Sequence, residues 1–191
     1  MRSVRLLIAS LLLVAGLSAH AQDASNPRVR VETNMGQFVI ELDPARAPLT
    51  VANFLQYVRE GFYSGVIFHR VISGFIAQAG QYDEKYVEKK ARPPIPNESG
   101  NGLSNRRGTV GLARTADPHS GDAQFYLNLA DNPLDPQPTR WGYTVFGRVV
   151  DGMNVVDAIG EVATGEAGPL KKDAPLKPVI IIRIEEIKSA P

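Results

Sequence analysis

One short stretch gathers groups able to hold and orient a peptide: Phe68-His69-Arg70-Val71-Ile72-Ser73-Gly74-Phe75-Ile76-Ala77-Gln78-Ala79-Gly80. It contains a guanidinium (Arg70), an apolar wall (Phe75, Ile76) and a neutral amide (Gln78). Such a set suits an apolar group flanked by peptide carbonyls. Other reactive side chains are poorly arranged for chemistry. His119, Ser120 and Asp122 lie together, but in a Gly/Pro/Asp-rich turn without a Gly-x-Ser-x-Gly elbow, and neighbours in a turn seldom form a triad. The three histidines are scattered and cysteine is absent, so no metal site is expected. Lys85, Lys89, Lys90 and Arg92 can be taken for a phosphate patch, yet the interspersed Asp83, Glu84 and Glu88 make them a solvated face.

The elements that must position the stretch follow from its pattern and that of its neighbours. It opens with alternating apolar and basic residues, as a half-buried strand does, and turns at Ser73-Gly74. Gly80 lets another chain approach closely. Upstream, Val29–Thr33 and Gln37–Leu42 read as a hairpin joined through Asn34-Met35-Gly36. A helix follows, with Pro48 in its first turn, Val51, Phe54, Leu55 and Val58 on one face, and Gly61 at its end. Strands are expected over 66–80, 108–114 and 123–129, with a long charged, proline-rich surface loop from Tyr82 to Pro96. Val149 to Ile159 reads as a strand end entering a second short helix, Gly165 to Pro178 as a loop, and Val179–Ile184 as a buried closing strand. Many strands, two helices and no βαβ alternation predict a closed antiparallel barrel capped at its ends. A small barrel is filled with side chains, so a site must lie on its outer face.

The chain begins with a basic Met1–Arg5, an apolar run Leu6–Leu17 and the small-x-small sequence Ala19-His20-Ala21. This is the pattern of a signal peptide cleaved after Ala21, and the run is short of the ~20 apolar residues of a spanning helix. No cysteine follows it, which excludes lipoprotein processing. Cleavage removes 21 residues and two arginines, leaving 19 basic against 20 acidic side chains. That balance points to neither nucleic acid nor a membrane surface as partner. Without disulfides the fold must be held by its core, and the remaining length suffices for one domain. The expected organisation is a signal peptide over 1–21, a short linker over 22–28 and one domain over 29–189.

The stretch around Arg70 resembles the signature of the cyclophilins, the peptidyl-prolyl cis-trans isomerases. Two further blocks carry the resemblance in the family's order: Gly108–Arg114 with Gly121–Asn128, and Tyr143–Met153. It extends from about Val29 to Ile187. It implies a mainly β fold, a closed eight-stranded antiparallel barrel capped by two α-helices. It also implies catalysis of rotation about X-Pro bonds in unfolded or partly folded proline-containing polypeptides, without a cofactor. Arg70 and Gln78 take the catalytic positions, with Gln78 orienting either the substrate carbonyl or Arg70 itself. Phe75, Ile76, Tyr126 and Leu134 line the proline pocket. The backbone of Ala113 and Arg114, with the side chain of Gln124, holds the residues before proline. Tyr143 stands where many members carry histidine and offers a hydroxyl donor. With the leader, the family's exported bacterial members point to the periplasm, and a monomer is expected.

Two departures bear on ligands. Arg114 replaces an asparagine common in the family, with a contribution expected through the backbone. Pro133 aligns with the pocket-rim tryptophan of many eukaryotic members, so weak or no cyclosporin binding is expected. The one tryptophan, Trp141, comes later, beyond Asp135-Pro136-Gln137-Pro138, and either folds over the pocket or packs elsewhere. A non-catalytic reading stays open: a chaperone that holds extended proline-containing chains in the same groove.

Overall fold

The computed structural model describes residues 26–187, so the leader and its cleavage site lie outside the described residues. Eight strands close into an antiparallel barrel in the order β1-β10-β3-β4-β6-β5-β7-β2. They are β1 (Arg28–Thr33), β2 (Gly36–Leu42), β3 (Val66–Ile72), β4 (Ile76–Asp83), β5 (Thr109–Leu112), β6 (Phe125–Asn128), β7 (Val145–Asp151) and β10 (Ile180–Ile187). Helices α1 (Pro48–Arg59) and α2 (Met153–Gly160) complete the expected architecture. The expected loop at 165–178 is instead largely a hairpin of β8 (Thr164–Ala167) and β9 (Leu170–Pro175), laid against β3. Its polar composition hid it, because one face is solvated and little of it enters the core. β10 is half-buried rather than buried: Ile181 and Ile184 face the core, while Ile182 is exposed.

The barrel is filled by its own side chains. Val29, Val31, Phe38, Ile40 and Leu42 point inward from the first hairpin, alternating with solvent-facing neighbours. The expected face of α1, from Val51 to Val58, packs against them and contributes Phe54 to an aromatic group with Tyr63, Phe125 and Phe146. Phe54 and Phe125 meet edge to face at 5.6 Å. Burying each such ring contributes about 2–3 kcal/mol. Ala47 gives α1 no side-chain cap. The carboxylate of Glu98, far along the chain, does so instead, accepting hydrogen bonds from Leu49 N–H (3.0 Å), Thr50 N–H (2.8 Å) and the Thr50 hydroxyl (2.7 Å).

Gly80 has the role its position suggests. It sits at φ +110°, and a Cβ there would stand 2.6 Å from the Ala123 carbonyl oxygen. Only glycine lets β4 run this close to the chain entering β6. That approach sets Gln78 beside Gln124.

Candidate active site

A row of residues crosses four strands on the outer face of the barrel. Arg70 on β3 pairs with Gln78 on β4, Gln78 with Tyr126 on β6, and Tyr126 with Gly111 on β5. Strand β3 carries one extra residue between Phe68 and Arg70 relative to β4. Such a bulge re-aims a side chain. Phe68 and Val71 both enter the core, with His69 buried and Arg70 38 % exposed between them.

The polar end of the row is a connected chain of side chains. Arg70 Nη1 donates to Gln78 Oε1 at 3.4 Å, and Gln78 Nε2 donates to Gln124 Oε1 at 3.0 Å. Of the two tasks open to Gln78, its carbonyl is therefore engaged in orienting Arg70. Gln124, its oxygen occupied, keeps amide hydrogens for an incoming carbonyl. Ala113 N–H already donates to the Gln124 carbonyl at 2.9 Å, so of the expected backbone contacts at Ala113 only its oxygen remains for a peptide.

The apolar end is a second cluster, separate from the barrel core. Ile76, Ala113 and Tyr126 are buried in it, and Phe75, Leu134 and Tyr143 pack against them. Phe125 and Tyr126 face opposite ways, one into each cluster, as strand alternation requires. The Tyr126 ring lies across Gly111, where a Cβ would overlap it. Its hydroxyl donates to Asn105 Oδ1 at 2.6 Å. Burial, with Tyr143 and Asp135 nearby, raises its pKa well above the usual tyrosine range, so this phenol stays neutral.

The rim is held by residues that sequence reasoning passed over. Asn105 donates to Asp135 Oδ1 through its backbone (2.7 Å) and side chain (3.0 Å), and to the Tyr143 carbonyl (3.3 Å). Burial pushes the Asp135 carboxyl up, but the hydrogen bonds from Asn105 and Ser104 carry it below the usual range. Tyr143 N–H donates to the Leu134 carbonyl at 2.9 Å, tying the two rim residues together. The side chain of Arg114, where a backbone contribution is expected, holds the neighbouring loop. Its guanidinium donates to the carbonyls of Gly142 (3.1 Å) and Trp141 (2.9 Å) and stacks over Tyr143.

Every residue expected at the site thus belongs to one of two adjoining groups: Arg70, Gln78 and Gln124, or the apolar cluster with Arg114 at its edge. Trp141 joins neither. It is 48 % exposed and meets His119 edge to face at 5.2 Å, outside the apolar cluster. Asp173 is an unforeseen neighbour, with Oδ2 4.0 Å from Arg70 Nε. No signal in the sequence singled it out. A cavity of about 450 Å³ flanks Gln124, lined in part by Glu88, Lys89 and Arg92 of the long surface segment. The turn containing His119 and Ser120 makes no catalytic pair: Ser120 Oγ donates to the Asp117 carbonyl, and His119 Nδ1 accepts from Asn97 N–H. Among the described residues no group of His, Asp and Glu is placed to hold a metal.

Comparison with known proteins agrees with this geometry. The family described as cyclophilin type peptidyl-prolyl cis-trans isomerase/CLD matches residues 28–186. The chain is 49 % identical over 157 residues to peptidyl-prolyl cis-trans isomerase B of Escherichia coli, covering 80 % of this chain and 95 % of that one. It is 41 % identical over 186 residues to peptidyl-prolyl cis-trans isomerase A of Dickeya dadantii, covering 95 % and 97 %. A crystal structure of a Cryptosporidium parvum cyclophilin type isomerase superposes with a TM-score of 0.69 at 23 % identity, over 86 % of this chain and 99 % of that one. That last likeness speaks for the fold.

Proposed function

Because the chain belongs to the cyclophilin-type peptidyl-prolyl cis-trans isomerases, and proline-containing polypeptides are therefore its substrates, we propose that Arg70 lowers the barrier to rotation and that the apolar cluster holds the proline. The barrier about an X-Pro bond comes from amide resonance and is ~18–20 kcal/mol. No bond is made or broken, so the protein needs only to bind the twisted state more tightly than either planar one. When the imide twists, the prolyl nitrogen regains its lone pair and accepts a hydrogen bond it could not accept before. A guanidinium beside the pocket supplies that donor, charged and hydrogen-bonded to Gln78.

The observation that carries this reading is the adjacency of the two groups: Gln78, the partner of Arg70, is paired with Tyr126, a buried member of the apolar cluster. A hydrogen bond to a charged donor contributes about 1.5–3 kcal/mol, or roughly tenfold to a few hundredfold in rate. The rest comes from a dry pocket and from anchoring one side of the bond. Ile76, Phe75 and Leu134 offer apolar surface for the ring, and Gln124 offers an amide donor for the chain before it. Exchange in a proline-containing peptide, measured by NMR, tests this. Arg70→Ala should slow catalysed exchange at least tenfold with the circular dichroism unchanged. Full activity in that variant would overturn the role of Arg70, and wild-type binding without acceleration would leave a holder in the same groove.

The activity serves the folding of exported proteins in the periplasm in this reading, supported by the leader pattern before Gln22. Fractionation and N-terminal sequencing of the mature protein test it, with Gln22 the expected first residue. Weak cyclosporin binding is supported by the Trp141 indole lying on His119 and outside the apolar cluster. Exchange measured with and without cyclosporin tests that, and a monomer is expected on sedimentation.

A further inference from the structure

We propose that Asp173, presented by the hairpin β8–β9, is a positioning residue that fixes the plane of the Arg70 guanidinium. The proposal rests on the catalytic reading of Arg70. A planar guanidinium held at one point can still swing about that contact. Gln78 holds Nη1 of Arg70, and Asp173 Oδ2 lies 4.0 Å from its Nε. The hydrogen bond at Nη1 and the carboxylate charge beside Nε together favour one orientation of the plane, with the remaining N–H groups free for an imide nitrogen.

The hairpin is shaped so that this carboxylate reaches β3. Its register holds at Ala167↔Leu170 and at Gly165↔Ala174, so β9 carries extra residues between those pairs, and Asp173 is one of them. Its backbone takes φ +63°, a left-handed conformation that residues other than glycine rarely adopt. A bulge ending in a left-handed residue turns one side chain out of the alternating pattern. Here it turns Asp173 toward Arg70. Of the two lysines before it, Lys171 pairs with Glu166 at 3.1 Å and Lys172 is exposed. Among the described residues, Arg70 is the ion-pair partner of Asp173.

The hairpin is also anchored to the site's own strands. Gly168, at φ +53°, lies so close to the Tyr86 ring that a Cβ would overlap it. Tyr86 packs on Tyr82 at 6.2 Å, and Tyr82 on His69, the neighbour of Arg70, at 5.4 Å. The carboxylate is therefore fixed relative to β3 rather than carried on a free loop.

Asp173→Gly tests this cleanly, because glycine accepts the left-handed backbone while removing the carboxylate. An exposed ion pair of this kind predicts a fall in kcat of roughly two- to fivefold with KM nearly unchanged. Asp173→Asn, which keeps an oxygen acceptor, should recover part of the loss. The Arg70 Nε–H resonance should move in Asp173→Gly, and the gap from wild type should narrow at 1 M salt, roughly where screening acts within 3 Å. In an Arg70→Ala background, Asp173→Gly should cost nothing further. Wild-type kcat with an unmoved Nε–H signal would overturn the proposal, as would an equal loss in both backgrounds. Should Arg70→Ala itself keep full activity, the catalytic reading of Arg70 fails instead. Equal unfolding midpoints for wild type and Asp173→Gly confirm that the comparison is between folded proteins.

Discussion

The Arg114 guanidinium lies 4.2 Å from the centroid of the Tyr143 ring, and the same side chain donates to the two carbonyls just before that ring, at Trp141 and Gly142. One residue thus clamps the rim of the pocket from two directions. The arrangement also explains why Trp141 does not fold over the pocket. Its backbone is held by Arg114, while its indole turns toward His119.

Arg114→Ala should therefore loosen the rim and leave Arg70 untouched. Cation–π stacking contributes about 0.5–1 kcal/mol at exposed sites. With the lost hydrogen bonds, KM for a proline peptide should rise roughly threefold to tenfold while kcat changes less. Trp141 is the chain's one tryptophan and reports the loop directly, so its emission should shift as well. Arg114→Lys keeps the charge but not the planar fork and should fall between. A variant with wild-type KM and unchanged emission would show that the clamp does not shape the pocket.

Asn105 is the corresponding anchor from beneath. It accepts from Tyr126 and Asn128 and donates to Asp135 and the Tyr143 carbonyl. Asn105→Ala strands several buried polar groups and should cost about 2–4 kcal/mol, read as a lower urea midpoint. Asn105→Asp tests the donor side alone. It can still accept from Tyr126, but its oxygens would face the Asp135 carboxylate, so peptide binding should weaken even where the fold survives.

The barrel was legible because its strands alternate and its first helix carries a clear apolar stripe. Arg70, Gln78 and the pocket residues were legible because they share motifs in one order along the chain. What the sequence hid is held by contacts made at long range. Glu98 caps a helix that begins 50 residues earlier in the chain. Asn105 lies in a glycine-rich irregular segment, where asparagine needs no further explanation. Asp173 sits in a polar hairpin whose pattern is broken by the bulge that aims it. Even His69 and Arg70 depart from simple alternation, because the extra residue in β3 cannot be seen without its partner strand.

Glu98→Ala should uncap α1 from a distance. The loss of its bonds to Leu49 and Thr50 predicts a destabilisation of about 1–2 kcal/mol, with Glu98→Asp failing to recover it if the shorter side chain cannot span both donors. Glu98 N–H also donates to Thr144 Oγ1, next to Tyr143, at 2.9 Å. Because that bond uses the backbone, activity at low temperature should survive the substitution while the melting temperature falls. An unchanged melting temperature would mean that water replaces the carboxylate at no cost.

His69 gives the fold an acid-sensitive point. The ring is 2 % exposed, meets Tyr82 edge to face, and leaves Nδ1 without a hydrogen-bond partner. Burial, then the neighbouring Arg70 charge, lowers its pKa to about 4. The unfolded chain, with a histidine near 6.5, binds the proton more readily. Stability from the neutral ring is thus complete above pH 6.5 and is lost as pH falls toward 4, by about 2 kcal/mol at pH 5. His69→Phe removes this proton uptake while keeping an aromatic ring in place. Urea midpoints measured at pH 7, 6 and 5 should fall less steeply for the variant than for the wild type. Carboxylates titrate alike in both proteins, so the difference between the two curves isolates His69. Parallel curves would mean that the buried ring keeps an ordinary pKa.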